Sequence, residues 1–186
     1  MNKSVDPTRI NIRTDPYTRV MSGIAQHGHT PFRVPFMSQV DETLYVGGCE
    51  SGLVLPTNIR HLISLYPWEK YTVKHELDTQ LSVRMFDDLT GPDRAQVEAI
   101  ARLVNVCRAS GPTLVHCQAG LNRSNLIAAT ALILDGISPR KAVRILREAR
   151  SEAVLCNPSF EDWLSTYGEL SPEEFRQATR KTHSLS

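Results

Sequence analysis

The chain has 186 residues, with 21 basic and 20 acidic side chains, a formal net charge of +1 and a hydrophobic fraction of 41%. That length accommodates one domain with a sizeable core and argues against two full domains. The near-neutral balance supplies no strong field for nucleic acid or an anionic membrane, so any affinity for phosphate must come from local geometry.

Residues 1–35 are rich in Pro, Thr, Arg, Asn and Gly and show no sustained apolar period. They read as an N-terminal extension, either disordered or draped over the domain. The opening MNKSVDPTRI lacks the hydrophobic region of a secretory signal. His27-Gly28-His29 reads as a polar loop, because no Cys, Asp or Glu partners lie at metal-ligand spacing. Folded structure is expected from Phe36 onward, with a domain over 36–170 and a tail over 171–186. Leu44-Tyr45-Val46 before Gly47-Gly48 predicts a short strand ending in a turn, and residues 61–66 predict a second strand stopped by Pro67. Residues 81–86 predict a third strand that runs into Asp87-Asp88. Val97, Ile100, Leu103, Val104 and Cys107 recur at helical spacing over 94–109, and Gly111-Pro112 ends that helix. Residues 113–116 form a very short apolar strand. NLIAATALIL over 125–134 is apolar all round and predicts a buried helix. Ser138-Pro139 and Asn157-Pro158 each open a further helix, and Ser171-Pro172-Glu173-Glu174 suggests a last short one. Strands alternating with helices predict an α/β fold: a central, mostly parallel sheet of four to five strands flanked by helices. No apolar run approaches the roughly 18 residues that span a bilayer.

The chemistry concentrates in Thr113-Leu-Val-His-Cys117-Gln-Ala-Gly-Leu-Asn-Arg123-Ser124. A strand delivers a cysteine to a short turn containing glycine, and the turn ends in an arginine at the mouth of a buried helix. Backbone amides in such a turn converge on an anion, and the helix start adds unpaired donors and partial positive charge. Gly120 permits backbone angles that a side chain would forbid. Arg123 can grip two phosphate oxygens with its planar fork. The same positive surroundings are expected to favour the thiolate of Cys117. The other cysteines (Cys49, Cys107, Cys156) do not share the spacing, and no CxxC pair occurs. That pattern argues against a disulfide scaffold or zinc ribbon and suits a reducing, cytoplasmic setting.

HCQAGLNRS resembles the HCxxGxxRS signature of cysteine-dependent protein phosphatases, in the form typical of the dual-specificity branch. LYVGG at 44–48 is similar to that family's first strand and turn, and Asn157-Pro158-Ser159-Phe160 to its late helix start. The resemblance spans roughly residues 36–168. It implies that Cys117 attacks phosphorus to form a phosphocysteine. It implies further that the loop residues Gln118, Ala119, Gly120, Leu121, Asn122 and Arg123 bind the phosphoryl oxygens. Ser124 is implied to assist departure of the sulfur, and His116 to orient the loop without transferring a proton. A general acid is expected from Asp87, Asp88 or Asp93. The Phe-x-Asp pattern and strand alternation, with Phe86 and Asp88 on one face, favour Asp88, with Asp87 second.

The resemblance implies a protein phosphatase acting on phosphotyrosine and phosphoserine or phosphothreonine, since a chain of this length is not expected to hold the loop that deepens tyrosine-only clefts. No metal or organic cofactor is implied, and the expected partner is a phosphorylated protein rather than nucleic acid or membrane. Gln118, Leu121 and Asn122 stand uncharged where phosphoinositide phosphatases carry lysines, which weakens a lipid reading; an RNA 5'-phosphate reading lacks a basic groove. The rival classes are a non-catalytic phosphate-binding pseudophosphatase and an arsenate-reductase-like redox enzyme. The second needs a resolving thiol, and none lies within the motif. Oligomeric state and any protective disulfide from Cys49 or Cys156 stay open.

Overall fold

In the computed structural model, which describes residues 6–25 and 27–169, eight strands and four helices follow one another. They are β1 (Ile12–Asp15), β2 (Val20–Ala25), β3 (Thr30–Pro35), β4 (Met37–Gln39), β5 (Leu44–Gly48), β6 (His61–Ser64), β7 (Thr79–Ser82), α1 (Arg94–Arg108), β8 (Thr113–Cys117), α2 (Arg123–Leu134), α3 (Pro139–Ala149) and α4 (Pro158–Glu169). The tail expectation at 171–174 lies outside the described residues.

The strand TLVHC is buried along its whole length, as a strand covered on both faces must be. It becomes the middle of a five-stranded sheet ordered β4-β5-β8-β6-β7, parallel throughout except for the antiparallel β4–β5 pair. The α/β fold with a mostly parallel five-stranded sheet flanked by helices is therefore the one the sequence pattern predicts. Helix α2 packs on β8 and β5 and touches α1, α3 and α4. This explains why it is apolar all round, with Leu126, Ile127, Ala128 and Ala129 fully buried. Each large aliphatic side chain so buried contributes about 2 kcal/mol. No described helix is long and apolar enough to cross a membrane.

Two expectations differ from the fold in detail. The third strand is β7 at 79–82, earlier than the predicted 81–86; Val83 N–H bonds Ser64 O as the last rung, and the chain then leaves the ladder. Within residues 1–35, the described part forms an antiparallel sheet ordered β1-β2-β3. Met21, Ala25, Phe32 and Val34 from that sheet join the same core as Val46, Val115 and Leu126. Pro31 and Pro35 hid β3 from sequence reading. They are tolerated because β3 is an edge strand, whose unpaired side needs no N–H.

Candidate active site

The loop after β8 begins where two glycines of β5 lie alongside it, Gly47 opposite His116 and Gly48 opposite Cys117. A side chain at Gly48 would meet the Gln118 carbonyl at 2.7 Å, so the loop can approach β5 only because that side chain is missing. Gly120 sits at φ +69, and a Cβ there would collide with the Gly47 backbone.

Every carbonyl from 118 to 122 is tied away from the loop's concave side. Cys49 N–H donates to Gln118 O at 3.0 Å, Leu155 N–H to Leu121 O at 3.0 Å, and Leu126 N–H to Asn122 O at 2.8 Å. Arg150 donates through Nη2 to Ala119 O (2.8 Å) and through Nε to Gly120 O (2.6 Å). Asn125 Nδ2 adds bonds to Gly120 O (2.8 Å) and Leu121 O (3.1 Å). In a trans peptide the carbonyl and the following N–H point in opposite directions. The amides of 119–123 therefore face away from those partners, into the hollow above Cys117. Burial pushes the Arg150 guanidinium down to about 10, still cationic at neutral pH.

Cys117 is 2% exposed, and its Sγ lies 3.5 Å from Ser124 Oγ. Arg123 is the first residue of α2 and is held over the Tyr66 ring, 4.9 Å from its centroid. Its Nη1 donates to Met85 O at 3.1 Å and to the Asp6 carboxylate at 2.8 Å. Burial opposes the guanidinium charge, but Cys117, Asp87 and Asp6 outweigh it and raise its pKa. His116 is buried, contacts the Cys117 carbonyl at 3.4 Å and stacks edge-on to Tyr71. Desolvation pushes it down to about 4, so it is neutral.

The three candidate acids separate cleanly. Asp93 caps α1, accepting from Ala95 N–H and Gln96 N–H. The Asp88 carboxylate bonds Thr90 N–H and Oγ1 in its own turn. Asp87 is the carboxylate at the site: Oδ2 accepts from Asn122 Nδ2 at 2.9 Å, and Oδ1 accepts from Asn157 Nδ2 at 2.8 Å. The structure therefore places Asp87, the second candidate, beside the loop, where Asp88 was the first expectation. The alternation that decides this is Leu81, Val83 and Met85, whose inward phase continues to Asp87 and leaves Phe86 partly exposed. Desolvation raises the Asp87 pKa, but hydrogen bonds from His27, the charge of Arg123, and Asn157 and Asn122 overcome it, and the net shift is downward.

Sequence reasoning passed over several contributors. Asn157 caps α4 through Ser159 N–H while its Nδ2 also holds Asp88 O at 2.8 Å, so one side chain clamps the acid loop. His27, read as part of a polar loop, places Nε2 at 2.6 Å from Asp87 O and 3.3 Å from its Oδ1. Arg150, the residue after the charged helix α3, is buried against the loop carbonyls, and nothing in the sequence marks it as different from the exposed arginines before it. All four cysteines are free. Cys107 is buried on the inner face of α1, and Cys156 Sγ contacts the Asn122 side chain at 3.5 Å.

Residues 45–169 match the family described as "Dual specificity phosphatase, catalytic domain". Among solved structures, human DUSP28 superposes with a TM-score of 0.60 at 22% identity, covering 73% of this chain and 94% of that one. OH1 from the Orf virus, described as a tyrosine phosphatase with triple substrate specificity, gives 0.55 at 22% identity over 71% and 86% of the two chains. PTPMT1 in complex with PI(5)P gives 0.53 at 18% identity over 71% and 98%. At these identities the likeness is one of fold. No curated protein sequence matches the chain.

Proposed function

The chain belongs to the dual-specificity phosphatase catalytic-domain family, and from that premise we propose that it hydrolyses phosphotyrosine and phosphoserine or phosphothreonine monoesters in proteins through a phosphocysteine intermediate. Cys117 Sγ attacks phosphorus in line with the leaving oxygen, and a sulfur–phosphorus bond forms as the ester bond breaks. Asp87, in its protonated form, gives its proton to the departing oxygen. The amides of 119–123 and the Arg123 fork hold the three equatorial oxygens as their charge grows. In the second step Asp87 takes a proton from water, water attacks phosphorus, and the sulfur leaves with a hydrogen bond from Ser124.

The observation that carries this reading is the full set of tied carbonyls from 118 to 122, which commits the loop's amides to an anion directly above a cysteine. Because Asp87 is held towards its anionic form, hydrolysis that needs a protonated acid is expected to be fastest on the acid side of neutrality. The uncharged side chains at 118, 121 and 122 favour a protein substrate over a phosphoinositide headgroup. The test is turnover of p-nitrophenyl phosphate, of matched phosphotyrosine, phosphoserine and phosphothreonine peptides and of a soluble phosphoinositide, with Cys117→Ser as control. Cys117-dependent phosphate release from all three peptides is expected; release only from a phosphoinositide would overturn the protein-substrate reading, and no release from any substrate would favour a binding module.

A further inference from the structure

The loop is occupied by the chain's own N-terminal segment. Asp6, far from Arg123 in sequence, has a side chain with 0% exposure, and its Oδ2 accepts from Arg123 Nη1 at 2.8 Å. Its Oδ1 accepts from both Thr8 N–H and Thr8 Oγ1 at 2.7 Å, and Arg9 N–H bonds Asp6 O, so a tight turn holds the carboxylate in place. The same segment engages two more parts of the site. Asp87 N–H donates to Thr8 Oγ1 at 3.0 Å. The Gln118 carboxamide pairs with Ile10 as a neighbouring strand would, accepting from its N–H at 3.0 Å and donating to its carbonyl at 2.7 Å. The cavity left between Thr8, Ile10, Asp87, Cys117 and Arg123 is about 10 Å³. That volume holds one water at most, so no phosphoryl group fits while the segment stays.

We infer that the segment Asp6–Ile10 is an internal competitor for the phosphate site, with the Asp6 carboxylate standing where substrate must place a phosphoryl oxygen on Arg123. The inference rests on the phosphatase reading for its substrate but on contacts alone for the competition. The carboxylate is an incomplete surrogate. It uses one donor of the guanidinium, and the buried Arg123 Nε has no hydrogen-bond partner among the described residues. Among the described residues no loop amide bonds to Asp6 either. A phosphoryl dianion supplies three oxygens to the same amides and both edges of the fork, so it outbids the carboxylate once present. Released Asp6 regains water, which offsets the loss of its buried partner. The segment thus raises the substrate concentration needed for half-saturation without altering the chemical step.

The experiment compares full-length wild type with Asp6→Asn and Thr8→Ala. It measures p-nitrophenyl phosphate kinetics, calorimetric affinity for inorganic phosphate, and thermal melting as a folding control. Asp6→Asn is expected to lower KM and the phosphate dissociation constant by roughly ten- to hundredfold, the range of one charge-assisted hydrogen bond, with kcat nearly unchanged. Thr8→Ala is expected to move both the same way by less. In wild type, added phosphate is expected to speed hydrogen exchange at the amides of residues 8–10. Unchanged or weaker phosphate binding in a folded Asp6→Asn, or slower exchange at residues 8–10 with phosphate, overturns the inference. If no variant turns over substrate yet Asp6→Asn binds phosphate more tightly, the competition stands and the hydrolase reading fails.

Discussion

The phosphate loop and the segment lying across it are both buried, yet they are held by different kinds of bond. The loop's carbonyls are bound by Cys49, Arg150, Asn125, Leu155 and Leu126, and binding of a phosphoryl group on the amide side leaves all of these bonds untouched. Apart from an exposed Arg9–Glu69 ion pair, the segment is bound by Arg123, Gln118 and the Asp87 amide, groups of the site itself. Bonds of the first kind survive substrate arrival, whereas those of the second compete with it. The contrast separates a permanent frame from a displaceable occupant.

The sharpest break in that comparison comes from the frame's cargo. Cys117→Ser is expected to cut turnover by at least about a thousandfold while leaving phosphate affinity near wild type, read by steady-state kinetics and calorimetry. Next, Asp87→Asn is expected to slow hydrolysis of phosphopeptides by roughly a hundredfold or more, and of p-nitrophenyl phosphate much less because its leaving group needs little protonation. Asp88→Asn is expected to do little to either, and the same kinetic series checks both. Arg150→Met leaves the buried Ala119 carbonyl without its donor and removes one of two donors from Gly120 O, and is expected to cost about 2 kcal/mol in chemical denaturation, with a loss of phosphate affinity.

The smallest expected effect is on pH dependence. The hydrogen bond and charge of Asp87 raise the His27 pKa above its ordinary 6.5. His27 therefore contributes stability that is fully present below about 6.5 and lost as pH rises through its raised value. Asp87, whose pKa is lowered, contributes above its ordinary 3.8 and loses that contribution as pH falls through the lowered value. A slight fall in wild-type melting temperature as pH rises above about 6.5, absent from His27→Gln, is expected from scanning calorimetry.

Much of this was legible in the chain because it follows from local rules. The buried strand 113–117, the all-apolar helix after it, and the Pro-started helices at 139 and 158 are consequences of periodicity and capping. The Cys117–Arg123 spacing identified the loop for the same reason, since a turn between a strand and a helix has few ways to run. What stayed hidden depends on long-range pairing. The β1-β2-β3 sheet carries prolines on an edge strand, and Asp6 meets Arg123 only through the folded course of the extension. The position of Asp87 beside the loop is legible in the phase of Leu81, Val83 and Met85, a phase that exposed Phe86 obscures.

Intact-protein mass spectrometry after rapid acid quench of a reaction with a phosphotyrosine peptide tests the central claim, that Cys117 carries the phosphoryl group, most directly. Ser124→Ala, which removes the hydroxyl 3.5 Å from the sulfur, is expected to slow the second step and accumulate a protein one phosphoryl group heavier, the added mass mapping to Cys117. Turnover persisting in Cys117→Ser, or full turnover with no adduct in any variant, would contradict it.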